Sequence, residues 1–258
     1  MRMRQGLTRS KNLVSIRILQ AIGLEYAQDY ITKFGFGKDR IKPFLTMALG
    51  AGEVTPLQLM GGYSVFANGG YRITPYFIQR IEDGQGNIVA QAAPVAAGAG
   101  AEQVIDVRNA FTMVNMMQDV VKHGTAIRAM ELGRQDLAGK TGTTSDSMDA
   151  WFAGFHPTLV AVTWIGYDNP QSLGEKETGG GAALPIWMGY MEKMLQGVPE
   201  VEYSMPEHVI TARINDNGLR DPNGNRIDYF YEENPPPEQG EVIPEEDKPA
   251  DTVNDELF

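Results

Sequence analysis

The sequence predicts an α/β domain in which an antiparallel sheet is flanked by helices. Residues 137–143, 150–155 and 159–167 are three short extended segments, the last two joined by His156-Pro157-Thr158, and they read as neighbouring antiparallel strands. After Thr178 and three glycines, Ala183, Ile186, Trp187, Tyr190, Met191, Met194 and Leu195 mark an amphipathic helix able to pack on that sheet. The chain ahead of the strands is dominated by helical periodicity.

Taken in order, residues 12–34 form two helical stretches broken at Gly23, with Leu13, Ile16 and Leu19 and then Tyr26, Ala27, Tyr30 and Ile31 at helical spacing. Thr55-Pro56-Leu57-Gln58 starts a helix, with Thr as cap, Pro at the first position and Gln at the capping-box position; Asn68-Gly69-Gly70 stops it. Residues 76–81 and 87–91 flank a Gly-bearing turn and suggest a hairpin, followed by a soft Ala/Gly loop over 92–101. Asp106 caps a helix with Val107, Ala110, Phe111, Val114, Met117 and Val121 on one face, ending near Gly124. Residues 209–214 add a strand. The expected organisation is a main body over 1–200, a small extension over 201–231 and a disordered acidic tail over 232–258, where prolines and acids bury too little apolar surface to offset ordering entropy.

The charge balance sharpens that division. The 258 residues hold 22 Lys and Arg against 33 Asp and Glu, a net −11. Residues 232–258 contribute ten acids and one base, a charge of −9, leaving the body at −2 with no basic field for nucleic acid. Cysteine is absent, which removes disulfides, thiolate metal sites and cysteine nucleophiles together. No run approaches the ~18 apolar residues of a membrane span, so any membrane attachment is expected through an anchor upstream of these residues. His123, His156 and His208 lack a ligand or triad spacing and read as solvated or capping groups, and no metal or organic cofactor is expected. Trp151, Trp164 and Trp187 read as core.

Gly139-Lys140-Thr141 ends like a phosphate loop, but five residues separate Gly133 from Gly139 where that loop needs four, and more strands follow instead of a helix. Lys140-Thr141-Gly142-Thr143-Thr144 on a strand edge suits acyl transfer better: an ammonium to bias a neighbouring hydroxyl, hydroxyls for a carboxylate, and a glycine for close backbone approach. Thr141 and Thr143 stand two apart and share one face of the strand. A solvated lysine on a surface strand fits the same tripeptide. Ser10-Lys11-Asn12 offers a hydroxyl relay and a peptide-orienting amide, and it equally fits a helix cap.

Together the two motifs resemble the second and third signature motifs of penicillin-binding proteins, and their context resembles the transpeptidase domain of class A, bifunctional enzymes of Gram-negative type. The resemblance runs through residues 8–15 (Thr-Arg-Ser-Lys-Asn-Leu-Val-Ser), 48–50, 53–58, 66–70, 123–126 (His-Gly-Thr-Ala), 137–144 (Leu-Ala-Gly-Lys-Thr-Gly-Thr-Thr) and 149–155 (Asp-Ala-Trp-Phe-Ala-Gly-Phe). It implies the penicillin-binding protein and serine β-lactamase fold, here expected to be N-terminally truncated. It implies a serine D,D-transpeptidase that cross-links peptidoglycan stem peptides and is inhibited by β-lactams, in the periplasm and anchored to the inner membrane.

In that family a Ser-x-x-Lys motif supplies the nucleophile. None of the seven serines, at 10, 15, 64, 145, 147, 172 and 204, has a lysine three positions later. The nucleophile is therefore expected in a missing N-terminal half of the domain, and this chain alone is expected to be inactive. By resemblance, Ser10 relays a proton toward the leaving group, Asn12 orients the substrate peptide and Lys140 polarises Ser10. Thr141 and Thr143 hold the donor carboxylate beside Gly142 and Thr144, and the Thr143 N–H forms half of an oxyanion hole. A catalytically silent cell-wall binding or scaffolding module is the alternative.

Overall fold

The computed structural model describes residues 1–238. Helices α1 (Met3–Thr8), α2 (Asn12–Ile22) and α3 (Leu24–Ile31) open the chain, with the expected break at Gly23, where φ is +89°. Two 3₁₀ turns (Thr32–Phe34 and Leu45–Leu49) lead to α4 (Pro56–Ala67). Its capping box is complete: Gln58 N–H donates to Thr55 Oγ1 at 3.2 Å and Thr55 N–H to Gln58 Oε1 at 2.9 Å. Strand β1 (Tyr71–Arg72), the hairpin β2 (Arg80–Glu82) and β3 (Ile88–Gln91), and β4 (Glu102–Gln103) follow, β4 pairing back on β1. The hairpin is shorter than its sequence suggests. Asp83 Oδ1 gathers the N–H groups of Gln85 and Asn87 at 2.8 and 2.9 Å and fixes the turn, but Tyr76, Phe77 and Ile78 stay exposed without a strand partner.

Helix α5 (Val107–His123) is capped by Asp106, whose Oδ1 accepts from Arg108 N–H at 2.8 Å. It buries Ala110, Phe111, Val114, Met117, Val120 and Val121, while Val107 at its start is exposed. The main sheet is β5 (Ala138–Thr143), β6 (Ala150–His156) and β7 (Leu159–Ile165), consecutive and antiparallel, with Lys140 opposite Ala153 and Trp151 opposite Trp164. On one face, Ala138 and Phe155 pack with Val114 and Met117 of α5 and Tyr63 and Phe66 of α4. On the other, Phe152 meets Trp187 of α6 (Leu184–Met194) edge-on, ring centroids 4.9 Å apart.

Helix α6 buries Leu184, Trp187, Met188 and Met191, whereas Ile186, Tyr190 and Met194 of the expected stripe face outward. The helix carries two apolar stripes, and the sheet takes the one holding Trp187. Strands β8 (Val209–Ile214) and β9 (Arg226–Tyr231) form a final ribbon whose Tyr229 packs edge-on against Phe111 of α5.

A buried ionic cluster joins this ribbon to the first helix. Arg4 Nε donates to Asp228 Oδ2 at 3.0 Å, and its Nη1 to Asp119 Oδ2 at 3.1 Å and to the Asn115 carbonyl at 3.2 Å, while Arg226 also pairs with Asp119. The acidic tail, expected to be disordered from 232, begins as a tethered segment. Glu233 pairs with Arg108, Arg220 N–H donates to the Pro237 carbonyl at 2.9 Å, and Pro236 is buried. The rest of that tail, 239–258, lies outside the described residues.

Candidate active site

Ser10 sits in the turn between α1 and α2 with φ +52°, a left-handed conformation that costs a non-glycine residue about 1–3 kcal/mol and concentrates at functional sites. The helix-cap reading of this segment fails, because the cap of α2 is Lys11 and no side chain caps it. Instead Ser10 reaches across the fold to β5. Lys140 Nζ donates to Ser10 Oγ at 2.8 Å and to the Thr141 carbonyl at 2.9 Å, although 130 positions separate the two side chains. Burial pushes the Lys140 ammonium down to about 8, because the charged form loses hydration it regains only in part from these two oxygens. Asn12, the first residue of α2, is exposed and makes no side-chain hydrogen bond to Ser10, Lys140 or the threonines.

The strand alternation divides the Lys-Thr-Gly segment between two faces. Lys140 and Gly142 look toward α4, where, with Thr141, Thr143 and Thr144 at the strand edge, they border a cavity of about 620 Å³ walled by Leu49, Leu59, Tyr63, Trp151 and Trp164. Thr141 and Thr143 share the opposite face as expected. Thr141 Oγ1 lies 2.7 Å from Thr125 Oγ1, and Thr143 Oγ1 accepts from Gly179 N–H at 3.0 Å. Thr144 Oγ1 accepts from Asp149 N–H at 2.7 Å and closes the loop to β6. Gly179 must lack a side chain: a Cβ there would stand 2.3 Å from the Trp151 carbonyl and 2.4 Å from that of Gly142.

Two readings from sequence need correction. Trp187 is core, but Trp151 and Trp164 are tilted ring partners on the cavity wall, centroids 5.8 Å apart at an interplanar angle of 36°, and Trp164 Nε1 donates to Asp149 Oδ1 at 2.8 Å. His156 is neither solvated nor a cap. It is fully buried with Nε2 3.0 Å from Asp136 Oδ2, and Asp136 in turn pairs with Arg134. The row Thr158–His156–Asp136 mimics a catalytic triad, yet Thr158 N–H also donates to His156 Nδ1 at 3.2 Å and the group lies three residues along β6 from Ala153, the partner of Lys140. It is a clamp at the far end of the sheet. Among the described residues no cluster of three or more His, Cys, Asp or Glu is placed to hold a metal, and no helix is long and apolar enough to cross a membrane.

The site residues that sequence reasoning missed are Thr125 and Gly179. Thr125 lies within the 123–126 block and Gly179 within a run of three glycines, but only the folded turns show what each touches.

A family model described as the penicillin binding protein transpeptidase domain matches residues 1–192. The chain belongs to this family. It is 52% identical over 210 residues to a penicillin-binding protein 1A of Neisseria lactamica, covering 81% of this chain and 26% of that protein. A Pseudomonas aeruginosa penicillin-binding protein 1A is 38% identical across 94% of this chain and 35% of its own length. The crystal structure of penicillin-binding protein 1A from Haemophilus influenzae superposes with a TM-score of 0.85 at 34% identity, covering 92% of this chain and 40% of that one. The penicillin-binding protein fold expected from the motifs is therefore the fold of this transpeptidase domain, and the chain spans about a quarter to two fifths of the length of these relatives.

Proposed function

We propose that this chain supplies the second and third motifs of a serine D,D-transpeptidase of the class A penicillin-binding type, working with a Ser-x-x-Lys segment that residues 1–258 do not contain. The observation that carries this reading is the 2.8 Å contact between Lys140 and Ser10, which joins the two motifs into one polar site. The serine of that segment gives its proton to the lysine of the same segment, attacks the carbonyl of the D-Ala-D-Ala bond of a stem peptide, or of a β-lactam, and forms an ester as the bond to the leaving group breaks. Ser10 passes a proton to the departing nitrogen, and the neighbouring ammonium of Lys140 makes its hydroxyl a better proton donor. Thr141 and Thr143 hold the terminal carboxylate, the Thr143 N–H takes part of the developing oxyanion charge, and Asn12 orients the peptide. An amine from a second stem peptide then accepts the acyl group. No metal or organic cofactor enters these steps.

Strand β5 is the edge of the three-stranded sheet, so a peptide can add to it through main-chain hydrogen bonds. The work is assigned to the periplasmic face of the inner membrane, with the anchor outside these residues. Mass spectrometry after incubation with a reactive penicillin tests the reading. The chain alone gains no adduct, a protein combining it with a Ser-x-x-Lys segment gains one on that serine, and Lys140→Ala slows the labelling. A combined protein that never labels points instead to the silent cell-wall module; an adduct on one of this chain's own serines refutes the division of roles.

A further inference from the structure

Three segments distant in sequence meet at Thr125. Its N–H donates to the Thr8 carbonyl at 3.3 Å, two residues before Ser10, while its side-chain oxygen lies 2.7 Å from that of Thr141. The turn that presents it is fastened to the end of α5, because the N–H groups of Gly124 and Ala126 both donate to the Val120 carbonyl at 3.1 Å. Close approach fixes the rest: a Cβ on Gly124 would lie 2.3 Å from the Thr8 carbonyl, and a Cβ on Gly180 would lie 3.0 Å from the Thr125 carbonyl. Thr125 is thus held in a turn braced against the end of α5, solvent-exposed and in hydroxyl contact with Thr141.

We propose that Thr125 is a positioning residue that acts through Thr141, turning the Thr141 hydroxyl into a donor aimed at the substrate carboxylate. A hydroxyl has one hydrogen and two acceptor lone pairs, so two threonines in contact share one hydrogen between them and leave the other for a ligand. When Thr125 donates to Thr141, the hydrogen of Thr141 is free for the carboxylate, and its oxygen is held in place. The inference rests on the transpeptidase reading above, because it requires a carboxylate at Thr141.

The test uses the full-length protein that carries this chain together with a Ser-x-x-Lys segment, and compares acylation by a penicillin with acylation by the methyl ester of the same penicillin. Thr125→Val keeps the shape and removes the hydroxyl. It lowers the second-order acylation rate for the free acid on the order of tenfold, the effect of one lost hydrogen bond at a charged group. The rate for the ester, which offers no carboxylate, stays unchanged, and Thr125→Ser restores the free-acid rate. An equal fall for acid and ester, or no fall for either, overturns the proposal, since a role confined to holding the turn does not distinguish them. A wild-type protein that takes no label removes the transpeptidase reading and this proposal with it, whereas normal wild-type labelling with an unaltered acid-to-ester ratio in Thr125→Val removes this proposal alone.

Discussion

Replacing Lys140 by Met is predicted to stabilise the folded chain at neutral pH while removing the group that contacts Ser10. The ammonium is held near a pKa of about 8 by burial, against an ordinary 10.5. The unfolded chain therefore binds more protons than the folded one between these values. Stability due to this group rises with pH across that window: the penalty is complete below about 8 and gone above 10.5. At about 1.4 kcal/mol per pH unit the full window corresponds to roughly 3 kcal/mol, and partial contact of the side chain with solvent reduces this to about 2 kcal/mol. Urea unfolding of the wild type and Lys140→Met at pH 7 and pH 10 reads the effect directly. The variant leads at pH 7, and its advantage shrinks by about 1.5 kcal/mol at pH 10. A constant difference between the two proteins across this range would show that Lys140 keeps its ordinary titration, and the argument from burial would fail.

Arg4→Met leaves Asp228 and Asp119 facing a buried apolar stem and is expected to destabilise the chain by about 3–5 kcal/mol in urea titrations. At Asp136, burial works to raise the carboxyl pKa but is outweighed by hydrogen bonds from Arg134 and the Val201 N–H and by His156, so the net shift is downward. Its contribution is present above the ordinary carboxylate range and lost as pH falls through the lowered value; Asp136→Asn is expected to flatten the acid-unfolding profile at that end. Gly124→Ala places a methyl group against the Thr8 carbonyl, and the expected result is a lower Tm with altered amide NMR shifts in the turn that carries Ser10.

The parts of the fold governed by local chemistry are legible in the sequence. Thr55 with Gln58, Asp106, and the glycines at 23 and 69–70 mark helix ends that the structure reproduces nearly to the residue. The three strands from 138 to 165 are equally plain, since β6 and β7 are short, largely apolar runs joined by a tight turn and β5 is an extended segment just ahead of them. Legibility fails where a distant partner decides. Strand β9, Arg-Ile-Asp-Tyr-Phe-Tyr, follows a connection rich in Asn, Asp and Gly and does not stand out in the sequence as a partner for β8, because that pairing is made only in the folded ribbon. Ile186, Tyr190 and Met194 match the helical period as well as the residues that are buried, and only the position of the sheet selects between the stripes. At the site, the resemblance to the family's motifs points to Ser10 and Lys140, which the fold brings to 2.8 Å, but neither Thr125 nor the tryptophan wall announces itself, because each depends on turns that bring remote segments together. His156 misleads for a different reason: burial beside Asp136 depends on the strand that carries it, and a lone histidine in sequence carries no sign of that.

The Arg4–Asp228 contact ties residues 224 positions apart, and this bears on the order in which the molecule assembles during synthesis. At a translation rate of 5–20 residues per second, the carboxylate follows the guanidinium out of the ribosome by roughly 10–45 s. Until then the first helix lacks half of its anchorage, and the turn holding Ser10 lacks a fixed base. The amino-terminal motif of the site thus waits on the last ribbon of the chain, and a protease that removed the β8–β9 ribbon would act at the opposite end of the sequence from the serine it unseats.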